Sequence, residues 1–265
     1  MKNKILIALD SFFIEKDSQK SQIDFLENNK IDYEFYRIVP FSHEIIPPLP
    51  KDKIIIPFGC VEFVQAILKN KEIDSRIIFD DIIFTNENCL NQWKSFCLNN
   101  NAKIVSAKQI IDTFEEDEYF MRPIDDKKSF TGGVFKPSQI KKLMERYAGY
   151  ENNEFKEDSK IIVSKIKNIK REWRNMVIDG KIISSSLYRE NGVHIEKLGI
   201  PPDVEAFCRA ALFVYNPAKA FVLDICELED GSFAIVEFGC IHNCGFYQSD
   251  MSKVMEAFIE FIYKM

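Results

Sequence analysis

Residues 221–238 read FVLDICELEDGSFAIVEF, two apolar runs on either side of Asp230-Gly231, and this stretch decides the fold. Asp-Gly between two apolar runs favours a tight hairpin turn, so 221–228 and 232–238 are predicted as antiparallel neighbours. Each run carries an acid among apolar residues, Asp224 in the first and Glu237 in the second. A buried carboxylate is costly unless it is paired or bound to a cation. Two of them on adjacent strands therefore suggest ligands for magnesium. Strand acids facing solvent are the plainer alternative.

The same punctuation occurs upstream, where 175–178 and 182–188 flank Asp179-Gly180. Two such hairpins predict an antiparallel sheet. Helices are expected over 137–147, 203–214 and 252–265, the last with Val254, Phe258, Phe261 and Ile262 on one face. The beginning of the chain has a different rhythm: a strand over 4–9, a helix over 18–29, strands over 33–39 and 53–57, and a helix over 61–68. Leu90, Trp93, Phe96 and Cys97 then recur at helical spacing, and a strand at 102–105 runs into Ser106 with Gln109 three residues on, a capping-box signature. The expected fold class is therefore α/β over residues 1–116 followed by α+β over 117–265. The acidic run Glu115-Glu116-Asp117-Glu118 is the expected connector between them.

Composition narrows the function. The 265 residues are 46% apolar and 29% charged, which excludes a disordered polymer. No apolar run approaches the roughly 20 residues that span a bilayer, and Met1-Lys2 leads directly into a strand-like segment, so no membrane partner and a cytoplasmic location are expected. Lys and Arg total 35 against 41 Asp and Glu, a net charge of −6, and no nucleic-acid partner is expected. Seven cysteines, mostly within apolar runs, read as reduced buried thiols.

Local charge tells more than the total. Arg122 ends a strand-like run and is followed by Lys127, Lys128, Gly132 and Gly133, a pattern that either holds phosphates or forms a solvated turn. Residues 160–174 hold Lys160, Lys165, Lys167, Lys170, Arg171 and Arg174 with one acid, Glu172. Trp173 is the only aromatic there, so a nucleotide's phosphates fit better than a single-stranded nucleic acid, with a solvated basic face as the alternative. His194 and His242 have no metal-like spacing, and Cys240 and Cys244 have no second Cys/His cluster to complete a zinc site.

Three segments in order, FMRPIDDKKSFTGGVF, KREWRNMVIDGKIISSSLYR and FVLDICELEDGSFAIVEFGCIHNCGFYQSD, span residues 120–250. Their sequence resembles the ATP-grasp superfamily, and especially a bacterial and phage branch in which arginine stands in place of one nucleotide-binding lysine. The resemblance implies an ATP-grasp fold with an N-terminal α/β pre-ATP-grasp domain. It implies ATP and Mg2+ as cofactors, with Arg122, Lys128 and Lys165 at the nucleotide and Glu172 and Arg174 as the family's central Glu-x-Arg. Arg189 matches a later arginine that neutralises the transferred phosphate, and Arg174 is placed with it as catalytic. Asp224 and Glu237 match the metal-binding acids. Many relatives have Asn two residues after the second acid; here that position is Gly239, and Asn243 is the nearest candidate substitute as a metal ligand.

The reaction implied is ligation of a carboxylate to an amine through an acyl phosphate, the carboxylate belonging to a small molecule, a peptide or a protein tail. Phosphotransfer on the same scaffold, and nucleotide-dependent regulation without turnover, are the alternatives that the same motifs leave open.

Overall fold

Residues 5–9 are apolar without alternation, which suits a strand covered on both faces. The computed structural model, which describes residues 4–13, 17–39, 42–124, 130–148 and 155–264, buries every position of β1 (Ile5–Asp10). Around it lie β2 (Asp32–Ile38), β3 (Ile45–Ile46), β4 (Ile54–Phe58) and β5 (Asp74–Ser75), in the order β3-β2-β1-β4-β5. All but β3 are parallel. Helices α1 (Asp17–Asn28) and α2 (Val61–Lys69) make the crossovers. Where β1 and β4 end, Gly59 is required: a Cβ there would meet the Asp10 Cβ at 2.3 Å.

The chain then passes through α3 (Asn86–Trp93) into a four-stranded antiparallel sheet. It contains β6 (Lys103–Ser106), β7 (Tyr119–Pro123), β8 (Gly133–Phe135) and β9 (Lys160–Ser164), in the order β6-β9-β7-β8. Helices α4 (Ala107–Thr113) and α5 (Pro137–Tyr147) close a core of its own, with Ala107, Ile110, Met121, Ile140, Ile161 and Val163. The Ser106–Gln109 capping box forms as expected, Ser106 Oγ accepting from the Gln109 amide at 3.2 Å and Gln109 Oε1 from the Ser106 amide at 3.0 Å.

This small lobe differs from the expected division at residue 117. Both β6 and α4 precede that position, yet β6 pairs with β9 and α4 buries Ala107 and Ile110 against residues that follow it. The acidic run is a turn inside the lobe. The lobe is an insertion over 103–164 rather than the start of a second half.

The third sheet holds β10 (Ile169–Ile178), β11 (Lys181–Glu190), β12 (Val193–Leu198), β13 (Ala220–Leu228) and β14 (Phe233–Cys240). Its order is β12-β11-β10-β13-β14, antiparallel throughout. Asp179 and Gly180 both have positive φ, 48° and 72°, as a two-residue hairpin turn requires. The second Asp-Gly differs. Only Gly231 is left-handed, at 81°, and Leu228 pairs with Ser232 across a three-residue loop.

Side-chain alternation divides this sheet's partners. Trp173, Val177, Phe221, Leu223 and Ile225 pack with α3 and α6 (Pro202–Val214). Met176, Ile178 and Val222 face the other way, into one core with α7 (Met251–Lys264) and with Ile5, Ile7, Leu9, Phe25 and Leu26. The first and third sheets therefore form one body through the apolar stripe of α7. Among the described residues, no helix is long and apolar enough to cross a membrane.

His242 fastens that body from within a short 3-10 turn (Ile241–Asn243). The Ile78 amide donates to its Nε2 at 2.9 Å, so Nδ1 carries the hydrogen and donates to the Pro57 carbonyl at 2.8 Å. Burial pushes its pKa down to about 4, against about 6.5 in an unfolded chain. Between those values the unfolded chain takes up a proton that the folded one does not, so stability falls as the pH drops through the window. The expected loss from this group at pH 5 is about 2 kcal/mol. Urea unfolding at pH 7 and pH 5 should show a smaller decline for His242→Gln than for the wild type. Equal declines would remove His242 from the pH response.

Candidate active site

The face of the third sheet that packs on α7 at one end is open at the other, where its side chains become charged. Glu172 and Arg174 project there from β10, Asp224 from β13 and Glu237 from β14. Arg174 is the register partner of Asp224 on one side, and Asp224 of Glu237 on the other. The three lie in one row across three strands, with the two acids adjacent.

Cations resolve the repulsion within that row. Arg174 donates to both Asp224 oxygens, from Nε at 2.9 Å and from Nη2 at 2.7 Å, and its Nη2 lies 3.7 Å from Glu237 Oε1. Arg122 reaches over from β7 and donates to Glu237 Oε2 at 3.1 Å. Asp224 is fully buried. Burial pushes its carboxyl up and the Arg174 fork pulls it down. Burial also opposes the charge on Arg174, and Asp224 outweighs it, raising the guanidinium further. Two short bonds to two acceptor oxygens define an ion pair.

Next to this row, Glu172 is buried and acts as an anchor. Its Oε1 accepts from Arg189 Nη1 at 3.0 Å and its Oε2 from the Tyr188 hydroxyl at 2.8 Å. Tyr188 stacks on Tyr247 with ring centres 4.9 Å apart, and Arg174 lies 5.0 Å above the Tyr247 ring. Burial pushes both phenols above their usual range, so they remain neutral donors. The side chain of Arg189 is half exposed, which leaves much of its guanidinium turned to solvent.

Between this sheet and the small lobe is a cavity of about 520 Å3, within the range of small-molecule sites. Leu98, Phe120, Phe130, Val134, Ile169 and Val236 provide apolar wall, while Arg122, Lys165, Lys167, Arg174 and Arg189 supply positive charge. Glu172, Glu237, Tyr188 and Tyr247 add polar groups to the same lining. The structure thus brings Arg122, Lys165, Glu172, Arg174, Arg189 and Glu237, all expected from sequence, into one lining. Asp224 lies directly beneath it, held by Arg174. Lys128 falls outside the described residues. Asn243 is in the turn after β14 and does not line the cavity. Gly239 has room for a side chain, since a Cβ would sit 3.6 Å from Val222, an ordinary contact.

Tyr188, Tyr247 and the apolar wall did not emerge from the sequence. Tyr188 adjoins Arg189, but nothing in the chain announces its stack with Tyr247. Among the described residues, no group of three or more His, Cys, Asp and Glu side chains could hold a metal ion. The Asp224–Glu237 pair nevertheless fits magnesium, which needs one or two carboxylates when phosphates and water complete its shell.

Comparison with known proteins bears on the family and the fold. A family model described as ATP-grasp domain, R2K clade family 3, matches residues 13–259. No curated protein matches the sequence. Among solved structures, the fold is similar to D-cycloserine synthetase DcsG at 14% identity and a TM-score of 0.60, covering 97% of this chain and 99% of that one. It is also similar to D-alanine–D-alanine ligase from Bacillus anthracis, at 15% identity, TM-score 0.59, with 98% and 97% covered. A third similar structure is the ATP-grasp ligase PsnB in complex with precursor peptide PsnA2 and AMPPNP, at 10% identity, TM-score 0.56, with 99% and 98% covered.

The ion-pair row makes a stability difference measurable. Asp224→Asn leaves Arg174 charged, nearly buried and without its main partner, and should cost about 3 kcal/mol in the ligand-free protein. Arg189→Met removes a half-exposed guanidinium and leaves the buried Glu172 with its Tyr188 hydrogen bond, so it should cost less, about 1–2 kcal/mol. Urea unfolding of both variants checks this, and an equal cost for the two would contradict the buried-pair assignment.

Proposed function

We propose, for a chain that belongs to family 3 of the R2K clade of ATP-grasp domains, an ATP- and magnesium-dependent ligase activity that joins a substrate carboxylate to an amine. The observation that carries this reading is a cavity whose lining joins apolar surface to clustered charge. Phe120, Phe130, Val134 and Val236 offer apolar wall to a base, while Arg122 and Arg174 meet at Glu237 above the buried Asp224 and Arg189 is held at Glu172. A nucleotide triphosphate with its metal needs both kinds of surface.

In this reading Arg122, Lys165 and Arg174 hold the phosphates, together with Lys128. Glu237 is the cavity's own metal ligand, Asp224 is the second, and Asn243 is the most distant candidate. Bound magnesium supplies charge neutralisation along the phosphate chain and orients its oxygens. The substrate carboxylate attacks the γ-phosphorus, the bond to the bridging oxygen breaks, and ADP leaves. The amine then attacks the acyl carbon, inorganic phosphate departs and the nitrogen loses a proton. Neither step needs a side-chain nucleophile, so the protein acts through positioning and electrostatics.

Arg189 is the catalytic group in this scheme. Glu172 and Tyr188 fix its base, and its exposed guanidinium is available to the charge that spreads during transfer. DcsG, PsnB and the D-alanine ligase are named for condensing reactions, which supports the class without identifying the acceptor. Gly239, in place of a metal-binding Asn, favours a second reading, a nucleotide-binding protein without turnover.

Product analysis separates the two readings. Ligation yields ADP and phosphate only when both carboxylate and amine are present; AMP and pyrophosphate would contradict the mechanism. Arg189→Met should lower kcat at least tenfold with nucleotide affinity nearly unchanged, measured by turnover and by calorimetry with an ATP analogue. Unchanged turnover would return Arg189 to the surface. Glu237→Gln should lose the magnesium dependence of analogue binding that the wild type shows, and equal behaviour of the two would remove Glu237 from the metal site.

A further inference from the structure

The acids that would hold a metal are already neutralised in this structure, and by residues that would also hold phosphate. Asp224 and Glu237 face one another across β13 and β14. Two adjacent carboxylates cannot both stay ionised without a cation. Arg174 lies against both, forked onto Asp224 and 3.7 Å from Glu237, and Arg122 closes the far side of Glu237 at 3.1 Å. Among the described residues, these two acids and two arginines form a quartet whose formal charges balance.

We propose that Arg122 and Arg174 occupy the place of the metal ion in the nucleotide-free protein, so that the divalent cation binds only together with the phosphates to which these arginines transfer. This rests on the reading that Mg-nucleotide binds in the cavity.

The charges set the sign. A divalent ion entering alone must take oxygens from hydrogen-bonded guanidinium groups and leaves the neutral quartet with two uncompensated positive charges. A triphosphate entering alone finds the arginines committed and brings its own charge against Glu237. Entering together, metal and phosphates exchange partners with the quartet: the acids turn to the metal and the arginines to phosphate oxygens, each charge keeping an opposite neighbour. Metal and nucleotide therefore raise each other's affinity by the same factor.

The position of Arg122 adds a mechanical side. Its strand belongs to the small lobe, whereas Glu237 belongs to the third sheet, so the Arg122–Glu237 pair bridges the two walls of the cavity. When the arginine exchanges the acid for a phosphate, the nucleotide becomes the bridge.

The test is Mn2+ binding followed by its paramagnetic resonance signal, with and without the β,γ-imido analogue of ATP. In the wild type the analogue should tighten Mn2+ binding at least tenfold, and Mn2+ should tighten analogue binding by an equal factor. Arg122→Met removes a cation from Glu237, so it should bind Mn2+ alone more tightly than the wild type and show a smaller coupling factor. Arg122→Lys, which keeps the charge, should restore weak metal-only binding, and a fold defect would not reverse in this way. Wild-type Mn2+ affinity that is the same with and without bound analogue overturns the inference while leaving nucleotide binding intact. An analogue that does not bind at all, with or without Mn2+, overturns the ligase reading as well.

Discussion

A carboxylate with no contact to water persists only beside a cation, and the architecture around the cavity follows from how Asp224 meets that requirement. Its partner Arg174 comes from the neighbouring strand at the same register, so the pair forms only when β10 and β13 are aligned as they are. A one-residue slip would carry every side chain to the opposite face, separating Arg174 from Asp224 and moving Trp173 off its apolar bed. Charge and packing thus specify the same register. The cost of burying the acid is offset by fixing a guanidinium at the floor of the cavity, where the aromatic pair Tyr188 and Tyr247 supports it.

Local signals in the sequence are strong where structure is local. The Asp-Gly at 179–180 specifies its turn, the Ser106 capping box forms, and the stripe of α7 is buried at Val254, Phe258 and Ile262. The second Asp-Gly gives the hairpin but not the loop type, because the side chain of Asp230 accepts from both the amide and the hydroxyl of Ser232 and stabilises a longer turn. The division at 117 misplaces β6 and α4, since an acidic run is equally suited to a turn inside a lobe and to a connector between domains.

For the site, motif order was enough to gather six residues that are far apart in the chain into one lining. It could not reveal that Glu172 anchors Arg189, because a residue's type and spacing do not say which cation it will meet across a sheet. Nor could it reveal the stack of Tyr188 on Tyr247. That contact depends on the loop after β14 being pinned to β11, where Ser186 accepts from the Gln248 amide and Ser184 from the Asp250 amide. The run Ser184-Ser185-Ser186 carries no signal in the sequence for such a role.

The insertion of the small lobe bears on how the chain can be cut. A fragment ending at residue 116 would carry β6 without β9 and α4 with its apolar side uncovered. The complementary fragment would have lost β1, β2 and β4, against which α7 packs, so neither piece keeps a whole core. The points that respect the cores are the two ends of the lobe, and these lie side by side, with Ser164 Oγ donating to Asn99 Oδ1 at 2.8 Å. A short linker joining them would excise residues 103–164 and leave the continuous core of the first and third sheets untouched, still displaying Arg174, Asp224 and Glu237 on a now uncovered face.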